Sequence, residues 1–258
     1  MQSHIQMPKV VLKEFVNEEK YYFKCEVATG KITKGYPKRT YTQEDYYSEE
    51  METAFNQYIE TPLKSVIDFA KCNLMDLSVV VNEDVEFNVY NYIRSLIARS
   101  ERLLRYANES SVYLQFMEDQ SQHDWIADYA MNSVSIYSLE KEFSVSFIVN
   151  DTTIPFVLPT CGLYECKFRG QISIIAPITP FRAIWLVKCD DSETKERAIL
   201  SIDKDLENAI RTINRMLFQK QISEKVGYVV SSDESMLKEL KAEIEAFSGT
   251  SLWGTKNG

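Results

Sequence analysis

A change of hydrophobic period near residue 142 constrains this chain more than any other feature. Before it, Met51, Phe55, Tyr58, Ile59, Leu63, Val66, Ile67 and Ala70 recur at spacings of three and four. A second such stripe runs through Val85, Val89, Tyr92, Ile93, Leu96, Ile97, Leu103, Leu104 and Ala107. Apolar residues so spaced share one helix face. After residue 142 the pattern turns to alternation in 142–149, 172–176 and 183–188, which are rich in β-branched residues and read as strands. A helical stripe returns with Leu206, Ile210, Ile213, Met216 and Leu217, then a short apolar run at 226–230 and a last helix.

These patterns predict helices over 49–71, 83–107, 203–222 and 233–247, and a mainly antiparallel sheet built from 21–36 and 142–190. The fold class is therefore α+β, with long helices packed on the sheet. Residues 1–258 are expected to form one domain. The shift at 142 is either a subdomain seam or the boundary between a helical layer and its sheet, and 249–258 are expected to fray. Local signals agree. Residues 21–36 form a hairpin whose Gly30 takes the positive φ of the turn. Asn82 is a plausible cap, and Ser231 with Glu234 forms a capping box. Pro62 cannot donate a backbone hydrogen bond, so either the helix kinks there or Thr61 caps a new one.

Composition narrows the class. Hydrophobic residues make up 45% of the chain, with 15 Tyr and 13 Phe against only 8 Gly and 7 Pro. Such a chain can bury a large core and is not a disordered one. The net charge of −9 disfavours nucleic acid as a partner. Five scattered cysteines, an odd number, fit a reducing compartment better than a disulfide framework. The opening residues lack a signal-peptide pattern, and no apolar run approaches the roughly 20 residues of a membrane helix. The expected location is the cytoplasm, with no membrane association.

Several short motifs fall in a recognisable order. They are His4, Leu12 and Phe15 around Pro8; the Thr29-Gly30 hairpin; Asp45 and Tyr46 followed by Glu60-Thr61; Asn150 and Asp151 with Pro155; Pro177 and Pro180; and Asn214 in the penultimate helix. This order resembles a bacterial family, domain of unknown function 4238. The resemblance implies a fold and a bacterial or mobile-element origin, and it implies no activity.

The candidate chemistry rests on few residues. His4, one of two histidines, is a candidate general base, or it ties the N-terminus to the fold. Asp151 ends a strand, where a carboxylate can face a site or cap a turn. Asp151 followed by Glu165 and Lys167 matches the Asp…Glu-x-Lys order of metal-dependent nucleases. There the two carboxylates would hold Mg²⁺ and the lysine would activate water. The bland reading is an edge strand with its charges outward. Asn214 is expected near His4 and Asp151. Arg94, Arg99, Arg102 and Arg105 could offer a fork to phosphate or carboxylate, against the commoner reading of a solvated, ion-paired face. His123, between polar and acidic residues, is expected to face solvent. Two functions follow: a hydrolase, nuclease-type effector of a bacterial defence or toxin system using His4, Asp151, Glu165, Lys167 and Asn214, with Mg²⁺ as cofactor; or a non-catalytic binding or sensor protein acting through a protein partner.

Overall fold

A computed structural model describes residues 2–4, 7–40, 42–44, 46–72, 81–100, 123–125, 127–128, 139–168, 170–189 and 199–248. In chain order the elements begin with β1 (Gln2–His4), α1 (Lys9–Leu12), β2 (Tyr22–Glu26), β3 (Ile32–Gly35) and β4 (Thr42–Glu44). Next come α2 (Glu49–Phe55), a π-helical segment (Asn56–Glu60), α3 (Thr61–Cys72) and α4 (Glu83–Ala98). The short α5 (Leu139–Glu142) leads into β5 (Phe143–Asn150), β6 (Leu158–Pro159), β7 (Tyr164–Phe168), β8 (Gln171–Thr179), β9 (Arg182–Lys188) and β10 (Ile199–Ile202). Last are α6 (Glu207–Glu224), β11 (Tyr228–Ser231) and α7 (Glu234–Ser248).

The class is α+β, and the sheets are mainly antiparallel. A five-stranded sheet has the order β10-β5-β9-β8-β7, with only β10 parallel to its neighbour. The hairpin at 21–36 was expected in that same sheet. Instead β2 and β3 join β11 and β6 in a separate four-stranded sheet, β3-β2-β11-β6, because the late strand β11 pairs with both β2 and β6. His4 lies within β1, opposite Thr42 of β4.

Strand β5 is buried along its whole length because it is covered on both faces. Phe143, Val145, Phe147 and Val149 enter one core with α2, α3, α4 and the N-terminal segment. On the opposite face, Ile148 enters a second core with α6, α7 and β11. Ser144, Ser146 and Asn150, also buried, produce the apolar-polar alternation in the sequence. On an ordinary antiparallel sheet that alternation marks a solvated face, but here the polar side is covered.

The expected helices form at 49–72, 83–98, 207–224 and 234–248, while 101–107 of the second lies outside the described residues. Asn82 caps α4, accepting from Val85 N–H at 2.8 Å, and Ser48 caps α2 through Met51 N–H. Gly30 takes a φ of 66° in its turn. At α7 the cap sits two residues later than a Ser231–Glu234 box would place it. Ser231 Oγ accepts from Asp233 N–H, and Asp233 Oδ1 accepts from Ser235 N–H. At Pro62 the helix does not restart, because Thr61 keeps helical φ and ψ and is no N-cap. Without a proline N–H for the Tyr58 carbonyl, the turn widens, and Thr61 N–H reaches the Asn56 carbonyl in an i to i+5 bond. Such π segments occur mostly as single turns inside helices and often at functional sites. No described helix is long and apolar enough to cross a membrane.

Candidate functional site

The sheet separates the residues that a nuclease site would need. Asp151 follows β5, whereas Glu165 and Lys167 lie on β7, the edge strand three positions across the sheet. Three inter-strand steps are about 14 Å. Along the strands, Glu165 pairs with Ile174, Ile174 with Leu186 and Leu186 with Val145, which places Glu165 about 20 Å down the strand axis from Asp151. One Mg²⁺, coordinated at about 2.1 Å, cannot bridge that gap, so Asp151 and Glu165 do not share a metal. Among the described residues no group of three His, Cys, Asp or Glu could hold a metal ion. Glu165 and Lys167 are both exposed, as edge-strand charges that deter pairing with another chain.

Asp151 is exposed, and its Oδ2 accepts from Ser201 Oγ at 3.0 Å. Its backbone N–H donates to Ile202 O, which ties β5 to β10. Its neighbour Asn150 builds the turn beyond the strand. Asn150 Oδ1 accepts from Thr152 N–H and Oγ1, and Nδ2 donates to the Ile154 carbonyl. Asn214, wholly buried, clasps the next stretch of the same loop. Its Oδ1 accepts from Val157 N–H at 2.9 Å and its Nδ2 donates to the Pro155 carbonyl at 2.8 Å. Gln221, seven residues on and on the same face of α6, repeats the clasp on Cys161 N–H and the Val226 carbonyl. Asn214 thus lies beside the loop that Asp151 opens, with both its amide oxygen and its amide nitrogen bonded to backbone. The His4 imidazole is outside the described part of the structure.

Cys25, Cys161, Cys166 and Cys189 are free thiols. Burial pushes the Cys161 thiol up to about 12 and the Cys25 thiol up to about 11, and it raises Cys166 as well. Nucleophilic cysteines show the opposite shift.

The arginine cluster is where the structure departs furthest from the expected solvated face. Arg102 and Arg105 lie outside the described residues. Arg94 is half-buried, donates to Asn91 Oδ1 and forms an ion pair with Glu140. Arg99, the C-cap of α4, is only 3% exposed, and among the described residues neither its Nε nor its Nη1 has a hydrogen-bond partner. Two features make a buried guanidinium tolerable there. The C-terminal carbonyl end of α4 favours a cation, and the guanidinium lies 4.0 Å from the centre of the Phe55 ring, a cation–π arrangement. Neither supplies an acceptor for those N–H groups, and a buried unmade hydrogen bond to a charged group costs more than about 1–3 kcal/mol.

Besides Phe55, which stacks on it, Arg99 acts through its charge on Tyr47 and Tyr92, and Tyr92 in turn meets Met7. Phe55 ends α2, Tyr92 is two turns back on α4, Met7 precedes α1, and Tyr47 precedes α2. All four are buried. Among the described residues the Tyr92 hydroxyl donates to Met7 Sδ alone, at 3.8 Å, a weak acceptor. Burial raises the tyrosine hydroxyl pKa of both Tyr47 and Tyr92, and the Arg99 charge opposes the shift in each. Glu60, the last residue of the π segment, is half-buried; desolvation raises its carboxyl, against the charges of Arg99, Lys9 and Lys13. His123, expected in solvent, is half-buried and stacks on Tyr46 with ring centres 3.8 Å apart. Beside it the buried Asp124 accepts from Ser48 N–H.

One sequence signal pointed to this centre. Tyr92, Leu96 and Arg99 follow the i, i+4, i+7 spacing of the buried stripe, so Arg99 interrupts an apolar face and does not sit opposite it. Glu60 had no such signal, because an α-helical wheel misplaces residues across a π turn.

No protein-family model, curated protein or solved structure matches this chain.

Proposed function

We propose that this is a non-catalytic binding protein, a sensor of a small anionic ligand whose response passes to a protein partner. The observation that carries this reading is Arg99: a buried cation stacked on Phe55, with two donor atoms that have no hydrogen-bond partner among the described residues. Buried polar groups in native proteins nearly always have partners, and exceptions call for an explanation in strain, function or a bound group. A ligand acceptor is such an explanation. The hydrolase reading gains less support, since Asp151 and Glu165 are far apart in the sheet, the Asn214 amide is engaged by backbone, and Cys25, Cys161 and Cys166 are held as neutral thiols.

The test is ligand-dependent thermal stability. A ligand that binds only the folded state raises the melting temperature with its concentration. Acetate, benzoate, sulfate and inorganic phosphate are titrated against the protein and against Arg99→Met. A saturable rise in the parent that is absent from Arg99→Met supports the reading. Mg²⁺-dependent cleavage of nucleic acid that is lost in Asp151→Ala would instead favour the hydrolase.

A further inference from the structure

We infer that the open edge of β3 docks an extended, acidic segment of a partner protein, which adds to the four-stranded sheet as a further strand. This surface uses no residue of the Arg99 centre, so it stands or falls apart from the reading above.

Backbone geometry makes the edge available. Glu26 N–H donates to the Lys31 carbonyl, and hydrogen-bonded pairs alternate along an antiparallel ladder. Lys24 lies opposite Thr33 and Tyr22 opposite Gly35, so these are the next bonded pairs. Ile32 and Lys34 therefore turn their N–H and C=O groups away from β2, and among the described residues no strand lies beyond β3. Such a row of outward donors and acceptors is a template for another strand.

Charge selects which strand. Residues 20–39 hold six cations, Lys20, Lys24, Lys31, Lys34, Lys38 and Arg39, against Glu26 alone. The hairpin segment is thus +5 in a chain of −9, and the remainder carries −14. Among the described residues none of the six is in an ion pair, whereas Arg94, Arg211 and Lys220 elsewhere are. A charge or two on an edge strand is an ordinary guard against pairing. Strand β7 carries that guard in Glu165 and Lys167, of opposite sign, and β10 has no charged residue. A one-signed excess around β3 goes further: it rejects basic strands, and it steers in an acidic one whose carboxylates neutralise it. Lys31 and Lys34 differ by an odd number along the strand, so their side chains leave opposite faces of the sheet. A matching strand alternates in the same way, which calls for consecutive carboxylates. Residues 31–36 reach about 20 Å, which sets the segment at about six residues.

A nucleic acid fits this edge less well. It has no amide groups to continue the ladder. The Tyr228 and Tyr21 rings lie under the ammonium groups of Lys24 and Lys34, at 4.1 Å in each case, so those ring faces are covered where a base would stack. A polyanion longer than the hairpin also runs onto the acidic remainder.

The experiment titrates fluorescein-labelled hexaglutamate with the full chain and follows fluorescence anisotropy. It is run at physiological ionic strength, where charges more than about 8 Å apart are largely screened. The comparison probes are the same peptide N-methylated at every residue and a thymidine hexanucleotide. N-methylation keeps the charges and removes the amide donors, so it should weaken binding about tenfold. The hexanucleotide should bind more weakly than hexaglutamate. Lys31→Glu combined with Lys34→Glu should weaken hexaglutamate binding at least about tenfold, while Lys64→Glu combined with Lys204→Glu should change it less than about twofold. All four lysines are exposed, so both double variants should fold. Equal binding of the N-methylated peptide overturns strand addition. Equal or tighter binding of the hexanucleotide overturns the protein partner. Equal weakening by the two double variants overturns the location, and no saturable binding of hexaglutamate overturns the docking edge itself.

Discussion

At the scale of single residues, structure and candidate chemistry separate cleanly at Asn214 and Glu60. Asn214 bonds Val157 N–H and the Pro155 carbonyl while wholly buried. Asn214→Ala should therefore strand two backbone groups and lower stability by about 2–3 kcal/mol in urea unfolding. An unchanged midpoint would show the clasp to be dispensable. Glu60 works in the opposite direction. Burial raises its carboxyl, so the folded state favours the protonated form. Its contribution is fully present below the unfolded glutamate value of about 4.3, and it is lost as pH rises through the raised folded value. Glu60→Gln removes that loss, so the melting temperature of the variant should gain on the parent as pH rises from 4 to 8. A difference that stays flat across that range would contradict the burial of the charge. Neither role was legible in the sequence. An asparagine in an amphipathic helix carries no mark of what it will clasp, and Glu60 follows helical spacing only up to the π turn.

At the scale of elements, much was legible because local rules agreed with one another. The period change near residue 142 located the strands, and Asn82 and Gly30 adopted the geometry their chemistry favours. What failed was partnership between strands. The hairpin at 22–35 looks the same whether it joins the large sheet or pairs with β11 some 200 residues later, since hydrogen-bonding partners far apart in sequence leave no periodic trace. The turns offer a paired test. Gly162 and Gly170 both take positive φ, but a Cβ on Gly162 would meet Leu96 at 2.6 Å while one on Gly170 meets nothing. Gly170→Ala should cost only the backbone term of about 1 kcal/mol. Gly162→Ala should add overpacking of about 1–3 kcal/mol at the point where the loop after β6 meets α4. Equal effects of the two substitutions in thermal unfolding would mean that the loop does not pack as described.

For the whole molecule, the large sheet is covered on both faces, by α2–α4 on one side and by α6, α7 and β11 on the other. Residues that seemed able to assemble across that sheet therefore stay apart, and Asp151 cannot reach Glu165. The helical side instead encloses Arg99, whose Nε and Nη1 have no partner among the described residues, and the fold bears the penalty of burying it. Arg99→Met keeps the length of the side chain, removes the charge and replaces the cation–π contact with a sulfur–aromatic one. Unfolding of ligand-free parent and Arg99→Met in urea tests the central claim most directly. If Arg99 is retained for binding, the variant should be more stable by about 1 kcal/mol or more, while losing any stabilisation by benzoate. A variant clearly less stable than the parent would contradict this, and would assign Arg99 to holding the fold together.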